Sequence, residues 1–124
     1  MGIYKLSNWY LSIYSLRSFI KHMQPATPIN REFLDQLSGG VMVEFGAEWC
    51  GYCQAAQAII KHAIAGYPDI KHINIEDGKG QRLGRTYAIK LWPTLIFLKD
   101  GIEIERIVRP SNQEAITNAL DMLK

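Results

Sequence analysis

The sequence predicts an α/β domain in which helices flank a central mixed β-sheet on both faces, with an N-terminal extension ahead of it. Three observations carry this expectation. From Ile29 onward, helical and strand periodicities alternate to the end of the chain. The run Val41-Met42-Val43-Glu44-Phe45 is short and almost continuously apolar, as a strand covered on both faces has to be. Two later apolar runs meet at Lys99-Asp100-Gly101, and an Asp-Gly pair between strands marks a tight hairpin.

Each element has its own local reason. Asn30 can cap a short helix whose apolar face is Phe33, Leu34 and Leu37, with Gly39-Gly40 as its stop. The apolar run at 41–45 follows as a strand. After Cys50 a helix turns Ala55, Ala56, Ile59, Ile60, Ala63 and Ile64 inward and ends at Gly66. Residues 70–75 read as a second strand, and residues 80–88 as a small helix with Leu83 and Tyr87 four apart. Residues 94–98 and 102–108 form the hairpin. Ser111-Asn112-Gln113-Glu114 has the form of a capping box for a last helix that buries Ile116, Ala119, Leu120 and Leu123. A right-handed crossover makes the first two strands parallel, and the hairpin adds antiparallel ones.

Composition excludes several classes. A chain of 124 residues, 48% hydrophobic and 21% charged, is an ordinary globular sequence rather than a disordered one. One domain of about 100–150 residues accounts for that length. The net charge of +2 comes with no basic stripe, so nucleic acid is not an expected partner. Two cysteines are too few for a disulfide scaffold. The division falls at residues 1–28, an extension, and 29–124, the main domain, with Pro25 and Pro28 at the join. Within residues 6–20, Leu6, Trp9, Tyr10, Ile13, Leu16 and Ile20 recur at helical spacing, although Arg17 falls on the same stripe. The favoured reading is a helix packed on the domain or a loose extension. A membrane-surface helix and an export or anchor signal are the lesser alternatives.

The chemistry lies in Cys50-Gly51-Tyr52-Cys53, at a strand-to-helix turn. Two intervening residues let the sulfurs meet across the first helical turn. Unpaired N–H groups and the positive end of the helix favour a thiolate at Cys50, the attacking group. Cys53, one turn inside, is shielded and suited to resolve a mixed disulfide. Half of a zinc site and a pair of inert thiols are the competing readings. No closely spaced histidine pair exists among His22, His62 and His72, and no metal site is expected. Gly78-Lys79-Gly80-Gln81-Arg82-Leu83-Gly84 is one residue too long for a dinucleotide loop.

Gly46-Ala47-Glu48-Trp49-Cys50-Gly51-Tyr52-Cys53, with Trp92-Pro93-Thr94 further on, resembles the thioredoxin family from about Ile29 to the end. The resemblance implies the thioredoxin fold, a cis Pro93 that brings Trp92 beside the cysteines, and a groove in which an extended substrate pairs with that backbone. Gly51, Tyr52 and Thr94 belong to this groove and its support. Trp49 would pack beside the Cys50–Cys53 disulfide, or else serve as a core residue. A charge inside the run at 41–45 is costly unless it has a task or a partner. Glu44 stands where thioredoxins carry an aspartate that relays a proton from the inner cysteine, and it is one methylene longer. The alternative is that Glu44 reaches solvent. His72 stands for the lysine that often accompanies the buried acid, and is read mainly as a polar residue beside a strand. Arg109 replaces the glycine usual after the last strand, where it would narrow the groove and add charge, or simply be solvated.

The favoured function is therefore reduction of protein disulfides through Cys50 and Cys53, by a monomer without metal or organic cofactor. Electrons would come from a thioredoxin-reductase-like donor, in the cytoplasm. Gly-Tyr between the cysteines is also similar to periplasmic disulfide isomerases, which keeps an exported oxidant or isomerase as the alternative, in a periplasmic or membrane-associated setting. A protein-interaction module with incidental redox activity is the third reading.

Overall fold

The computed structural model describes residues 29–124. The boundary at residue 28, and the segment at 6–20 with its membrane reading, lie outside these. The elements are α1 (Arg31–Asp35), β1 (Gly40–Gly46), α2 (Gly51–Ala65), β2 (Lys71–Glu76), α3 (Arg82–Thr86), β3 (Thr94–Lys99), β4 (Ile102–Val108) and α4 (Gln113–Asp121). They follow the expected order.

The four strands form one sheet in the order β2-β1-β3-β4. β1 runs parallel to β2 and antiparallel to β3, and β3 is antiparallel to β4. The two central strands are buried on both faces, which is why their sequences are continuous rather than alternating. On one face Met42, Leu95 and Phe97 pack with Ala56, Ile60 and Ala63 of α2 and Ile116, Ala119 and Leu120 of α4. On the other, Val41, Val43, Phe45, Ile96 and Leu98 pack with Leu34 of α1, Leu83 of α3 and Tyr87 at its end. Each large aliphatic side chain so enclosed stabilises the fold by about 1.5–3 kcal/mol. Two helices on each side of one sheet leave its carboxyl-terminal edge free for a site.

Turn chemistry fixes the register. Asp100 and Gly101 both have positive φ, 52° and 81°, the signature of the two-residue hairpin turn whose twist matches its strands. Asp100 Oδ1 accepts from the Gly39 N–H at 2.7 Å. A Cβ on Gly101 would collide with the Asp35 backbone, so only glycine fits between hairpin and α1.

Four local expectations need correction. Phe33 is 47% exposed, because a helix of five residues has room for only one inward side chain, Leu34. α1 ends at Gln36, earlier than Gly39-Gly40, and Gly40 already belongs to β1. Ala55 is exposed, since the inward stripe of α2 runs through Cys53, Ala56, Ile60 and Ala63. The last helix is capped by Asn112, whose side chain accepts from Ala115 N–H, and not by Ser111. Asn and Ser are comparable caps, so neighbouring candidates are separated only by where the helix begins.

Candidate active site

β1 carries the chain to the sheet edge, and α2 begins directly beyond it. Cys50 has extended backbone angles and caps α2, its sulfur accepting from the Cys53 N–H at 3.2 Å. The positive end of a helix of 15 residues is directed at that sulfur. Both thiols are free, and both are buried. Their surroundings nevertheless differ. Cys50 Sγ is turned toward the Trp92 carbonyl oxygen, 3.9 Å away, while Cys53 Sγ is sealed against Gly46. A Cβ on Gly46 would come within 2.8 Å of that sulfur. Burial, reinforced by the hydrogen bond with Cys50, pushes the Cys53 thiol from 9.0 up to about 11. The pair thus consists of a helix-capping sulfur at the groove and a protonated sulfur beneath it.

Glu44 does not reach solvent; it is buried in the middle of β1, on the side covered by α2. Both of its oxygens have partners. Oε2 accepts from Gln57 Nε2 at 2.7 Å, and Oε1 lies 2.9 Å from His72 Nε2. A carboxylate offers only lone pairs, so the imidazole is the donor. His72 lies opposite Met42 in the β1–β2 register, on the same side of the sheet as Glu44, and is therefore more than a polar residue beside a strand. Gln57 also approaches the Cys53 carbonyl at 3.3 Å, tying the acid to the helix turn that holds the inner thiol. Glu44 and Gly46 alternate onto the same side of β1, so the carboxyl lies on the side that Cys53 packs against and adds to the upward push on its thiol.

The Trp92–Pro93 peptide bond is cis, as the resemblance implies. Pro93 is buried, and Thr94 is buried with its hydroxyl donating to Leu91 O at 2.6 Å, so Thr94 braces the turn from below. Arg109 follows β4 with a φ of 51°. Its N–H donates to Pro93 O and its Nε to Trp92 O, each at 2.8 Å. Its guanidinium carbon stands 3.8 Å from the centroid of the Tyr52 ring. Arg109 is therefore pinned to the groove rather than solvated.

Trp49 is 74% exposed and not a core residue; it meets Trp92 edge-on, with centroids 5.3 Å apart. Trp92 is held in turn by Asp77, whose Oδ2 accepts from its indole N–H at 2.9 Å. Gly51 opens α2 with nothing packed above its Cα. Two residues of this site, Gln57 and Asp77, escape the sequence reading. Gln57 had a signal, being one helical turn beyond Cys53 on a stripe otherwise apolar. Asp77 had none, because its partner lies in another loop. Among the described residues, no cluster of three or more His, Cys, Asp or Glu side chains could hold a metal ion, and no helix is long and apolar enough to cross a membrane.

A cysteine pair in unlike settings, one sulfur capping a helix and the other set against a strand, with the carbonyl ahead of a cis proline facing the first, defines the class of thiol–disulfide oxidoreductases. The family model Thioredoxin matches residues 25–122, and the chain belongs to the thioredoxin family. It is 36% identical over 84 residues to a thioredoxin of Chlamydia pneumoniae, covering 68% of this chain and 82% of that protein. A thioredoxin of Chlamydia trachomatis is 31% identical over 85 residues, covering 68% and 83%. The solved structure of thioredoxin 2 from Pseudomonas aeruginosa PAO1 in its reduced form matches with a TM-score of 0.70 and 45% identity, covering 80% of this chain and 92% of that one. The protein is a thiol–disulfide oxidoreductase that reduces protein disulfides.

Proposed function

We propose that Cys50 is the nucleophile and Cys53 the resolving thiol of a protein-disulfide reductase, with Glu44 as the group that accepts the proton from Cys53. The observation that carries this is the unequal setting of the two sulfurs, one capping α2 beside the groove and one sealed on Gly46. Cys50 thiolate attacks one sulfur of the substrate disulfide; that S–S bond breaks, and the other substrate sulfur leaves as thiolate. Cys53 then gives its proton to Glu44 and attacks Cys50 Sγ in the mixed disulfide. The second substrate sulfur leaves, taking a proton, and Cys50 and Cys53 are joined. Two electrons have passed to the substrate. A reductase of the thioredoxin-reductase kind returns them, in the cytoplasm, with the chain acting as a monomer.

During the attack, Trp49 and Trp92 supply an apolar wall, and the backbone beside Pro93 pairs with an extended substrate segment. Gly51 keeps the approach to Cys50 open, and Tyr52 and Arg109 form its opposite lip. The test is a pair of variants. Cys50→Ser should abolish reduction of a protein disulfide, whereas Cys53→Ser should accumulate a mixed disulfide through Cys50 that gel electrophoresis without reductant detects. Preferential alkylation of Cys53 over Cys50 in the reduced protein would overturn the assignment. Rapid reduction of the oxidised protein by a thioredoxin reductase supports the donor named here, and failure of that coupling removes it.

A further inference from the structure

The reductase reading leaves open which disulfides this site prefers, and Arg109 bears on that choice. We infer that Arg109 is a carboxylate receptor at the rim of the thiol site, so that the preferred substrates carry their disulfide in an acidic segment. The inference rests on the reductase reading and adds a substrate class to it.

Arg109 occupies the left-handed region, at φ 51°, where a residue with a Cβ is disfavoured. A strained backbone position held by a long charged side chain is found mainly where function over-determines it. The side chain is fixed by two contacts, the Tyr52 ring beneath its plane and the Trp92 carbonyl oxygen at Nε. Those contacts use one of five N–H donors. Among the described residues no ion pair involves Arg109, and its two terminal nitrogens make no hydrogen bond there. What remains is a pre-organised fork, the geometry that receives a carboxylate with two parallel bonds. Cys50 Sγ faces the same Trp92 oxygen, so the guanidinium and the reacting sulfur both approach a single atom.

The far flank of Trp92 is also cationic. A groove of about 190 Å³ is lined there by Lys79, Arg85 and Lys90 together with Trp92. The acid in that groove, Asp77, is engaged by the Trp92 indole. The remaining acids near the rim, Glu48 and Glu76, belong to the Trp49 side, where Glu76 Oε2 accepts from the Glu48 N–H. An acidic segment laid across Trp92 would therefore meet positive charge at both ends of its path.

The test uses two short disulfide peptides, identical except for Glu or Gln beside the cysteine that is attacked, with kcat/KM measured at low and high salt. The wild type should favour the acidic peptide by about five- to tenfold at low salt, less at high salt. Arg109→Gly, which relieves the backbone strain, should bring the ratio to about one, and Arg109→Glu should invert it. Arg109→Lys should keep only part of the preference, because the planar fork is lost. Equal rates on the two peptides in the wild type, or a ratio unchanged in Arg109→Gly and Arg109→Glu, overturns the inference. So does a loss in Arg109→Gly that is the same for both peptides, which would make Arg109 a brace for Tyr52. Absence of turnover on either peptide by the wild type would overturn the reductase reading itself.

Discussion

Glu44→Gln tests the proposed division of the catalytic cycle between attack and resolution. Burial, reinforced by the hydrogen bond with Cys50, holds the Cys53 thiol at about 11 in the reduced protein, so at pH 7 only about one molecule in ten thousand carries its thiolate without help. At the ordinary value of 9.0 the fraction would be about one in a hundred. The gap must be closed by a base that takes the proton as the sulfur attacks, and a positioned base contributes about 10²–10⁴-fold. Glu44 is the buried carboxylate on the Cys53 side of β1, and glutamine preserves its length while removing its basicity. The side-chain amide still has neighbours to bond, because His72 can turn its other tautomer toward an N–H donor. Resolution at pH 7 should slow by about a hundredfold, while attack by Cys50 changes far less. Acid quenching within milliseconds, followed by alkylation, counts the mixed disulfide: it should build up in the variant and stay scarce in the wild type. Resolution in the variant should also rise nearly tenfold per pH unit toward 11. A variant that resolves at the wild-type rate, with the wild-type pH profile, refutes the role given to Glu44.

The same thiol predicts a stability profile. The folded chain keeps Cys53 protonated to about 11, while an unfolded chain releases that proton near 9.0, so stability is full below pH 9 and falls between 9 and 11. Under reducing conditions Cys53→Ser should lose less of its urea midpoint across that window than the wild type. Tyr67 is raised by its hydrogen bond to Asp121, and Tyr87 by burial; both titrate in either protein, so the difference isolates Cys53, and equal slopes would refute the burial effect. Gly46→Ala sets a methyl 2.8 Å from Cys53 Sγ, so the sulfur must move. The expected cost is about 1–3 kcal/mol in the reduced protein, with slower resolution, and an unchanged denaturation midpoint would refute the close packing.

The fold was legible where one strong local signal coincided with burial. The run at 41–45 announced a strand covered on both sides, and Asp100-Gly101 announced its turn, because positive φ at two successive residues demands those residue types. Element ends were less legible. Asn112 and Ser111 are both competent caps, and Phe33 lies next to Leu34 on a helix too short to bury both. In the site, Cys50 could be placed at the helix start and Cys53 one turn inside, because a buried strand passes directly into a helical pattern there. Glu44 stood out because a charge within an apolar strand requires a partner. The partners themselves, Gln57 on α2 and His72 on β2, are set by sheet register and helix rotation, which no local window contains. Asp77 and Trp92 likewise come from separate loops and meet only in the folded chain.

The polar groups around the thiols are largely committed to one another. Glu44 is shared between Gln57 and His72, Asp77 is taken by Trp92, and the Thr94 hydroxyl is turned down to Leu91. The Cys50 sulfur and the Arg109 terminal nitrogens are left to meet a substrate. Both residues approach the Trp92 carbonyl, the acceptor an extended substrate segment would use for backbone pairing, and Arg109 Nε already donates to it. That oxygen has two lone pairs, so a substrate N–H must share it or displace the guanidinium. A carboxylate on the substrate eases the competition. Two parallel bonds to the terminal nitrogens would weaken the Nε bond and leave the carbonyl freer for the backbone. A neutral segment offers no such exchange and pairs against an occupied acceptor. Charge recognition and backbone pairing would then act as one event at the atom that faces the nucleophile, which is why the preference should appear in kcat/KM and not only in binding.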